Sequence, residues 1–312
     1  MSDSRSDTSG TAVVVMAYGT PASTEDIEAY YTDIRRGRPP TPELLAELTG
    51  RYDAIGGVSP LAARTEEQRV AIQDALDALE PDRYTVVLGT KHSTPSIEAA
   101  VTQVVEAGFD HVVGVVLAPH YSAYSVGQYL ARLRAAVPEH LASAITVGGV
   151  ESWATEPAFV DFVAADLQRR LDLADGRVLV LFTAHSLPTR ILADGDPYPD
   201  QLRSTAEAVA QQLGLHEGRG WRIAWQSAGR TPEPWIGPDI LAALDDIAAS
   251  GDYDTVIVSA VGFVSDHLEV LYDLDIEARV HAEQLGLEFD RTSCVNDDPR
   301  VMAALARRIH RI

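Results

Sequence analysis

Two continuous apolar runs dominate the chain, TAVVVMA at 11–17 and VLVLF at 178–182. Neither alternates with polar residues and both contain β-branched side chains. Such runs predict central parallel strands covered on both faces. Shorter apolar runs predict further strands at 84–88, 111–117, 144–150, 221–225, 255–261 and 286–289. Between them, spacing near 3.6 predicts helices at 26–34, 65–79, 97–107, 126–137, 159–173, 202–213, 240–249, 268–282 and 299–309. Ser23 or Thr24 suits the N-cap of the first helix.

Strand then helix, repeated, argues for parallel sheets with helices on both faces. The two halves follow the same rhythm. The fold class expected is therefore α/β, with two Rossmann-like domains, each a four-stranded parallel sheet flanked by helices. Residues 1–10 are polar and read as a disordered tail without the apolar core of a secretory signal. The first domain is expected over 11–152 and the second over 153–312, with the terminal helix free to pack back on the first. Facing domains of this kind form a cleft lined by strand-end loops, where ligands bind. No GxGxxG or GxxxxGK[ST] follows any strand, so nucleotide binding is not supported.

Composition narrows the partners. Apolar residues make up 46% of the 312, normal for a globular core, yet no run reaches the ~20 needed to span a bilayer. The net charge is −21, from 46 acidic and 25 basic side chains, which disfavours nucleic acid and anionic membrane. Cys294 is the only cysteine, which excludes an internal disulfide and a four-cysteine metal centre. A cytoplasmic protein is the default. Against this acidic background, Arg35, Arg36 and Arg38 form a basic cluster close behind the first strand's loop. Guanidinium groups bind carboxylates bidentately, so the cluster suits a ligand with several carboxylates. The plain alternative is a solvated turn. For Ser59, in the loop GGVSP, it is a turn or cap hydroxyl.

Candidate chemistry sits at the strand ends. The strand 177–184 runs into Ala184-His185-Ser186-Leu187-Pro188, and proline prevents simple continuation. His185 is thus presented where ligands bind an open sheet. Strand 11–17 presents Tyr18 in the same way. After the strand 255–261, Glu269, Asp273 and Glu277 are spaced i, i+4, i+8. On an ideal helix they make one row about 12 Å long, from a rise of ~1.5 Å per residue. Like charges at that spacing destabilise a helix unless a cation compensates, and carboxylate oxygens are ligands for divalent ions. A solvated acidic face is the plain alternative. Imidazole, carboxylate, phenol and arginines around one cleft fit metal insertion into a porphyrin. That reaction needs a base for the pyrrole protons, a transient metal ligand and a grip on the macrocycle.

The chain resembles the ferrochelatases, and most closely the monofunctional coproporphyrin III ferrochelatases of Gram-positive bacteria. The resemblance rests on MAYGTP (16–21), YYTDIRRGRPP (30–40), RYDAIGGVSPLA (51–62), LAPHYSAYSVGQY (117–129), ESW (151–153), AHSLP (184–188), GDPYPDQL (195–202), WQSAGRTPEPWIGPD (225–239) and VGFVSDHLEVLYDLDIE (261–277). It implies a chelatase-like fold and insertion of Fe(II) into coproporphyrin III to form coprohaem, without a further cofactor. By resemblance, His185 and Glu269 bind iron and accept pyrrole protons, and Tyr18 is the axial ligand to product iron. Arg35, Arg51, Tyr52, Ser59 and Tyr129 match porphyrin-binding positions, and Asp273 and Glu277 an outer metal site. The family often carries a π-type irregularity near Glu269, which would alter the ideal row. Some relatives hold a [2Fe–2S] cluster on four cysteines, which one cysteine cannot do. His267 is expected to make a structural hydrogen bond. A monomer is expected, with a transient contact to a downstream coprohaem decarboxylase. Two other readings remain: a protoporphyrin IX ferrochelatase, and a carrier of haem or coprohaem that inserts no metal.

Overall fold

The structure, a computed structural model, describes residues 10–312 apart from Arg230; of the tail expected at 1–10, only Gly10 lies among the described residues. Among the described residues, eight strands form two parallel sheets: β1 (Thr11–Ala17), β2 (Tyr84–Thr90), β3 (His111–Val116) and β4 (Thr146–Val150), then β5 (Val178–His185), β6 (Trp221–Gln226), β7 (Thr255–Ser259) and β8 (Glu288–Arg291). The strand orders are β2-β1-β3-β4 and β6-β5-β7-β8. The second half therefore repeats the first strand for strand. In each sheet the chain leaves the central strand to one side and returns on the other, the arrangement that opens a crevice at the strands' carboxyl ends.

Register sets what stands at those ends. Ala17 pairs with Thr90, so Tyr18 emerges beside Lys91. His185 pairs with Gln226, so both emerge together from β5 and β6.

The two apolar runs are buried because each faces two cores. Val13 and Val15 of β1, and Val180, Phe182 and Ala184 of β5, share one cluster with Trp153, Phe159 and Leu305. Their alternate neighbours face separate outer cores, Val14 and Met16 among Ile97, Val101 and Leu130, and Leu179 and Leu181 among Leu244, Val256 and Phe289. Period-two alternation thus survives inside a run that is apolar throughout. The shared middle layer spans both halves. At ~1.5–3 kcal/mol per fully buried aliphatic or phenyl side chain, it is what fixes one sheet against the other. The terminal helix Pro299–Ile309, capped by Asp298, contributes to this layer and packs on the helix Leu61–Leu79 and on β4.

Three of the differences from the pattern reading bear on the site. A helix over Pro42–Ala54 has no counterpart in the predicted elements; Thr41 caps it by accepting from Leu44 N, and proline occupies its first turn. Its residues Leu44, Leu48 and Arg51 line a cavity rather than a core, which hides the helix from a search for core-facing periodicity. The first helix begins at Ile27 after a 3₁₀ turn, and Ser23 donates to the Asp26 carboxylate instead of capping backbone. The helix expected over 268–282 is broken into an α-turn at Leu268–Leu271, a π-type turn at Asp273–Ala278 and a last α-helix at Arg279–Gln284. Glu277 N donates to Tyr272 O across five residues at 2.9 Å, so the turn is wider than the ideal row assumes.

Candidate active site

A cavity of about 840 Å³ opens at the carboxyl ends of the strands, between the two halves. The ten residues that the resemblance assigns to iron or porphyrin all line it: Tyr18, Arg35, Arg51, Tyr52, Ser59, Tyr129, His185, Glu269, Asp273 and Glu277. They come from chain segments up to 259 residues apart, from Tyr18 to Glu277.

His185 ends β5. Its Nδ1 lies 2.5 Å from Ser186 O. A carbonyl cannot donate, so the proton of this contact is on Nδ1 and the neutral ring presents a bare Nε2. Nε2 stands 3.6 Å from Glu269 Oε1. Each side chain keeps roughly a third of its surface open to the cavity (34% and 38%) while protein surrounds it on the other sides. Tyr198 donates its hydroxyl to His185 O at 3.0 Å, and Gln226 donates Nε2–H to Glu269 O at 3.2 Å, so both backbones are held. Burial alone would lower the His185 pKa. The Glu269 charge, helped by Ser186 O and Asp273, outweighs it and leaves the imidazole above its ordinary value. Burial likewise pushes Glu269 up, but His185 first, then His267 and Arg51, hold it below the usual carboxylate range.

His267 corrects an expectation. Its Nδ1 is buried with no hydrogen-bond partner, and its Nε2 stands 3.7 Å from Glu269 Oε2. Its ring packs on Phe263 with centroids 5.0 Å apart. Burial keeps its pKa below the ordinary value, although the Glu269 charge pulls it up. It is a part of the site rather than a structural hydrogen bond. The motif VSDHLEV carried the signal, since two residues in an extended segment or turn can present side chains to one place.

Of the acidic residues, Asp273 is the most enclosed: Glu269 is half-buried, Asp273 buried and Glu277 exposed. Asp273 is engaged on both oxygens, by Arg51 Nη1 at 3.4 Å and by the Ser227 hydroxyl at 2.5 Å. Burial and the Glu269 charge raise it to about 7 in spite of these partners. Among the described residues no three His, Cys, Asp or Glu side chains are grouped closely enough to hold a metal ion by themselves.

On the first half, Tyr18 projects into the cavity with 42% of its surface open and its ring 4.7 Å from that of His92. Burial of the hydroxyl, then Glu269 and Tyr52, push the phenol up, so it stays protonated without a cation beside it. Tyr52 is buried, its hydroxyl 3.4 Å from Thr20 Oγ1. Tyr129 is buried beneath Lys91, whose Nζ lies 5.2 Å from the ring. Ser59 Oγ accepts from Leu61 N at 3.2 Å, the plain turn role, while still lining the cavity. Of the three clustered arginines, Arg35 lines the cavity, stacked 5.5 Å over Tyr31, whereas Arg36 and Arg38 do not. Lys91, Gln226, Ser227, Trp235 and Phe263 also line it. Sequence reasoning passed over them because Lys91, Ser227, Trp235 and Phe263 sit in loops whose position depends on the neighbouring strand, and Gln226 ends β6.

The family model described as "Ferrochelatase" matches residues 10–312. The coproporphyrin III ferrochelatase of Halalkalibacterium halodurans is 43% identical over 303 residues, covering 96% of either chain. The ferrochelatase of Herpetosiphon aurantiacus is 44% identical over 294 residues, covering 93% of this chain and 94% of its own. The coproporphyrin III ferrochelatase of Anoxybacillus flavithermus is 42% identical over 304 residues, covering 94% and 93%. Two solved structures share the fold: SirB from Bacillus subtilis with Fe3+, at TM-score 0.55, 12% identity and 96% and 94% coverage, and CbiX of siroheme biosynthesis in denitrifying bacteria, at TM-score 0.52, 14% identity and 97% and 98% coverage.

Proposed function

The chain belongs to the ferrochelatase family, and on that premise we propose that it inserts Fe(II) into coproporphyrin III, forming coprohaem in haem biosynthesis. The observation that carries the reading is the pairing of His185 Nε2 with Glu269 Oε1 in a cavity that Tyr18, Arg35 and Arg51 also line. Iron and porphyrin are both substrates, and no separate cofactor is required.

The reaction exchanges two pyrrole protons for one Fe(II). Nε2 of His185 carries a lone pair, because Nδ1–H is committed to Ser186 O, so it can hold the metal or take a proton. Glu269 is ionised at neutral pH and stabilises the imidazolium when His185 is the acceptor. Gln226 and Tyr198 hold the two backbones, which keeps acceptor and carboxylate in place. Tyr18, protonated in the empty cavity, would serve as an axial ligand to product iron only after losing its phenol proton to solvent. Arg35 and Arg51, with Tyr52, Ser59 and Tyr129, bind the porphyrin and its propionates. Asp273 and Glu277 form an outer stop for the metal on its way to Glu269.

Four propionates on the substrate favour coproporphyrin over protoporphyrin IX in a cavity with two arginines and Lys91. A carrier needs an axial ligand but no paired base, and His185 with Glu269 speaks against that reading. The protein acts as a cytoplasmic monomer that passes coprohaem to a decarboxylating enzyme by transient contact. No helix of the described residues is long and apolar enough to cross a membrane. The test is anaerobic mixing with Fe(II) and each porphyrin, followed by visible absorption. Rapid conversion of coproporphyrin III with little of protoporphyrin IX is expected. The reverse preference would overturn the substrate, and tight binding without metal insertion would make the protein a carrier.

A further inference from the structure

Arg291 ends β8 and lies behind the cavity rather than in it. Its side chain is 13% exposed, and its guanidinium reaches two carboxylates. Nε and Nη2 donate to the two oxygens of Asp275 at 2.6 and 2.8 Å, a bidentate pair. Nη2 also donates to Asp266 Oδ1 at 3.3 Å. Asp275 belongs to the π-type turn and Asp266 to the loop before Glu269. One planar cation therefore ties together both ends of the segment 266–275, and Glu269 lies between them.

The same segment is fastened from a second side. Asn296, in the left-handed region at φ +47, donates Nδ2–H to Asp266 Oδ2 at 2.9 Å and accepts from Asp266 N at 3.0 Å. Asn296 N donates to Val264 O at 2.7 Å, and Asn296 O accepts from Gln68 of the other half at 2.9 Å. Ser265 donates to Gln68 Oε1 at 3.1 Å. These contacts fix the loop entering the segment. The far end, the π-type turn, has Arg291–Asp275 on one side and Arg51–Asp273 on the cavity side. A π-type turn is rare because its hydrogen bonds and packing are poorer than those of an α-helix. Without an outside anchor it would relax toward α, moving Glu269 relative to His185.

We propose that Arg291 is a positioning residue for Glu269, clamping Asp266 to Asp275 so that the carboxylate is held opposite His185 Nε2. The proposal rests on the reading of His185 and Glu269 as the reacting pair. A misplacement of about 1 Å in such a pair can cost ~100-fold in rate. Substrate binding is spared, because Arg291 touches none of the cavity's arginines or tyrosines.

The experiment is steady-state kinetics with Fe(II) and coproporphyrin III on Arg291→Met, Arg291→Lys and Asp275→Asn, each with a thermal melt. Arg291→Met is expected to lower kcat about 10- to 100-fold with KM for coproporphyrin III within about 2-fold. Non-denaturing guanidinium ion added to Arg291→Met restores part of kcat. Arg291→Lys, one point charge in place of a fork, recovers little. Asp275→Asn removes the charged bidentate partner and gives a smaller loss of the same kind. A folded Arg291→Met with unchanged kcat, a loss appearing in KM, or no response to guanidinium would overturn the clamp. If Arg291→Met does not fold, Asp275→Asn decides, and unchanged kcat there overturns it. Failure of the wild-type protein to metallate coproporphyrin III would instead sink the functional reading.

Discussion

Arg51 Nη1 stands 3.4 Å from Asp273 Oδ1, so a cation carried by the first half of the chain meets a carboxylate carried by the second. The pair is incomplete compensation. Asp273 is buried, and with Glu269 nearby its carboxyl is raised from 3.8 to about 7. Between about pH 4 and about pH 7 the unfolded chain has released a proton that the folded protein keeps. Folding then takes up a proton, and stability falls as pH rises through that window and levels off above it. Asp273→Asn removes the dependence. It is expected to be more stable than the wild type at pH 8 and close to it near pH 3.5, by urea unfolding. An equal difference at both pH values would show that Asp273 does not carry the shift.

His185→Ala and Glu269→Gln are each expected to lower metal insertion by ~10²–10⁴, the usual range for removing a general acid or base. Porphyrin binding, read as fluorescence quenching, should persist, since neither side chain is a propionate partner. Comparable loss of binding and turnover would place the pair in substrate recognition.

The His185 titration separates charge from burial. In the metal-free protein its proton should leave above the ordinary 6.5, because Glu269 outweighs burial. Removing that charge in Glu269→Gln leaves burial dominant, so the titration should move below 6.5. NMR of the labelled imidazole reads both. A titration that stays put would mean that Glu269 does not set the proton affinity of His185.

Gly262 is a tight point behind the site. A Cβ there would lie 2.4 Å from Ala184 Cβ and 2.6 Å from Ala184 Cα, one residue before His185. Gly262 N also donates to Thr183 O at 3.0 Å, which holds the two segments together. Gly262→Ala should destabilise by about 1–3 kcal/mol, the usual cost of overpacking, and lower activity further by moving β5's end. Thermal melts and turnover check the two effects separately.

The strands and their ends were legible because burial leaves a local trace. A strand covered on both faces must be apolar throughout, as 11–17 and 178–182 are, and the polar residues that follow must lie in the loops at its end. Tyr18 and His185 could be placed in this way. Helices that face a core showed their period. The helix Pro42–Ala54 did not, because Leu44, Leu48 and Arg51 face a cavity that exists only between the assembled halves. The π-type turn was likewise invisible to an ideal helical count, since a single extra residue per turn leaves composition and spacing unchanged.

By itself the sequence determined the α/β repeat, the strand-end residues, the acidic surface and, through its motifs, the ferrochelatase resemblance. These follow from local pattern and residue identity. Only the tertiary structure decided that His267 stands beside Glu269 with an unpartnered Nδ1, that Arg51 rests on Asp273, and that Arg291 holds Asp266 and Asp275 together. The last two are contacts between segments set by strand order and by the middle layer shared between the sheets. Charge and hydrogen bonding act over a few ångströms in space, and no spacing along the chain records that distance.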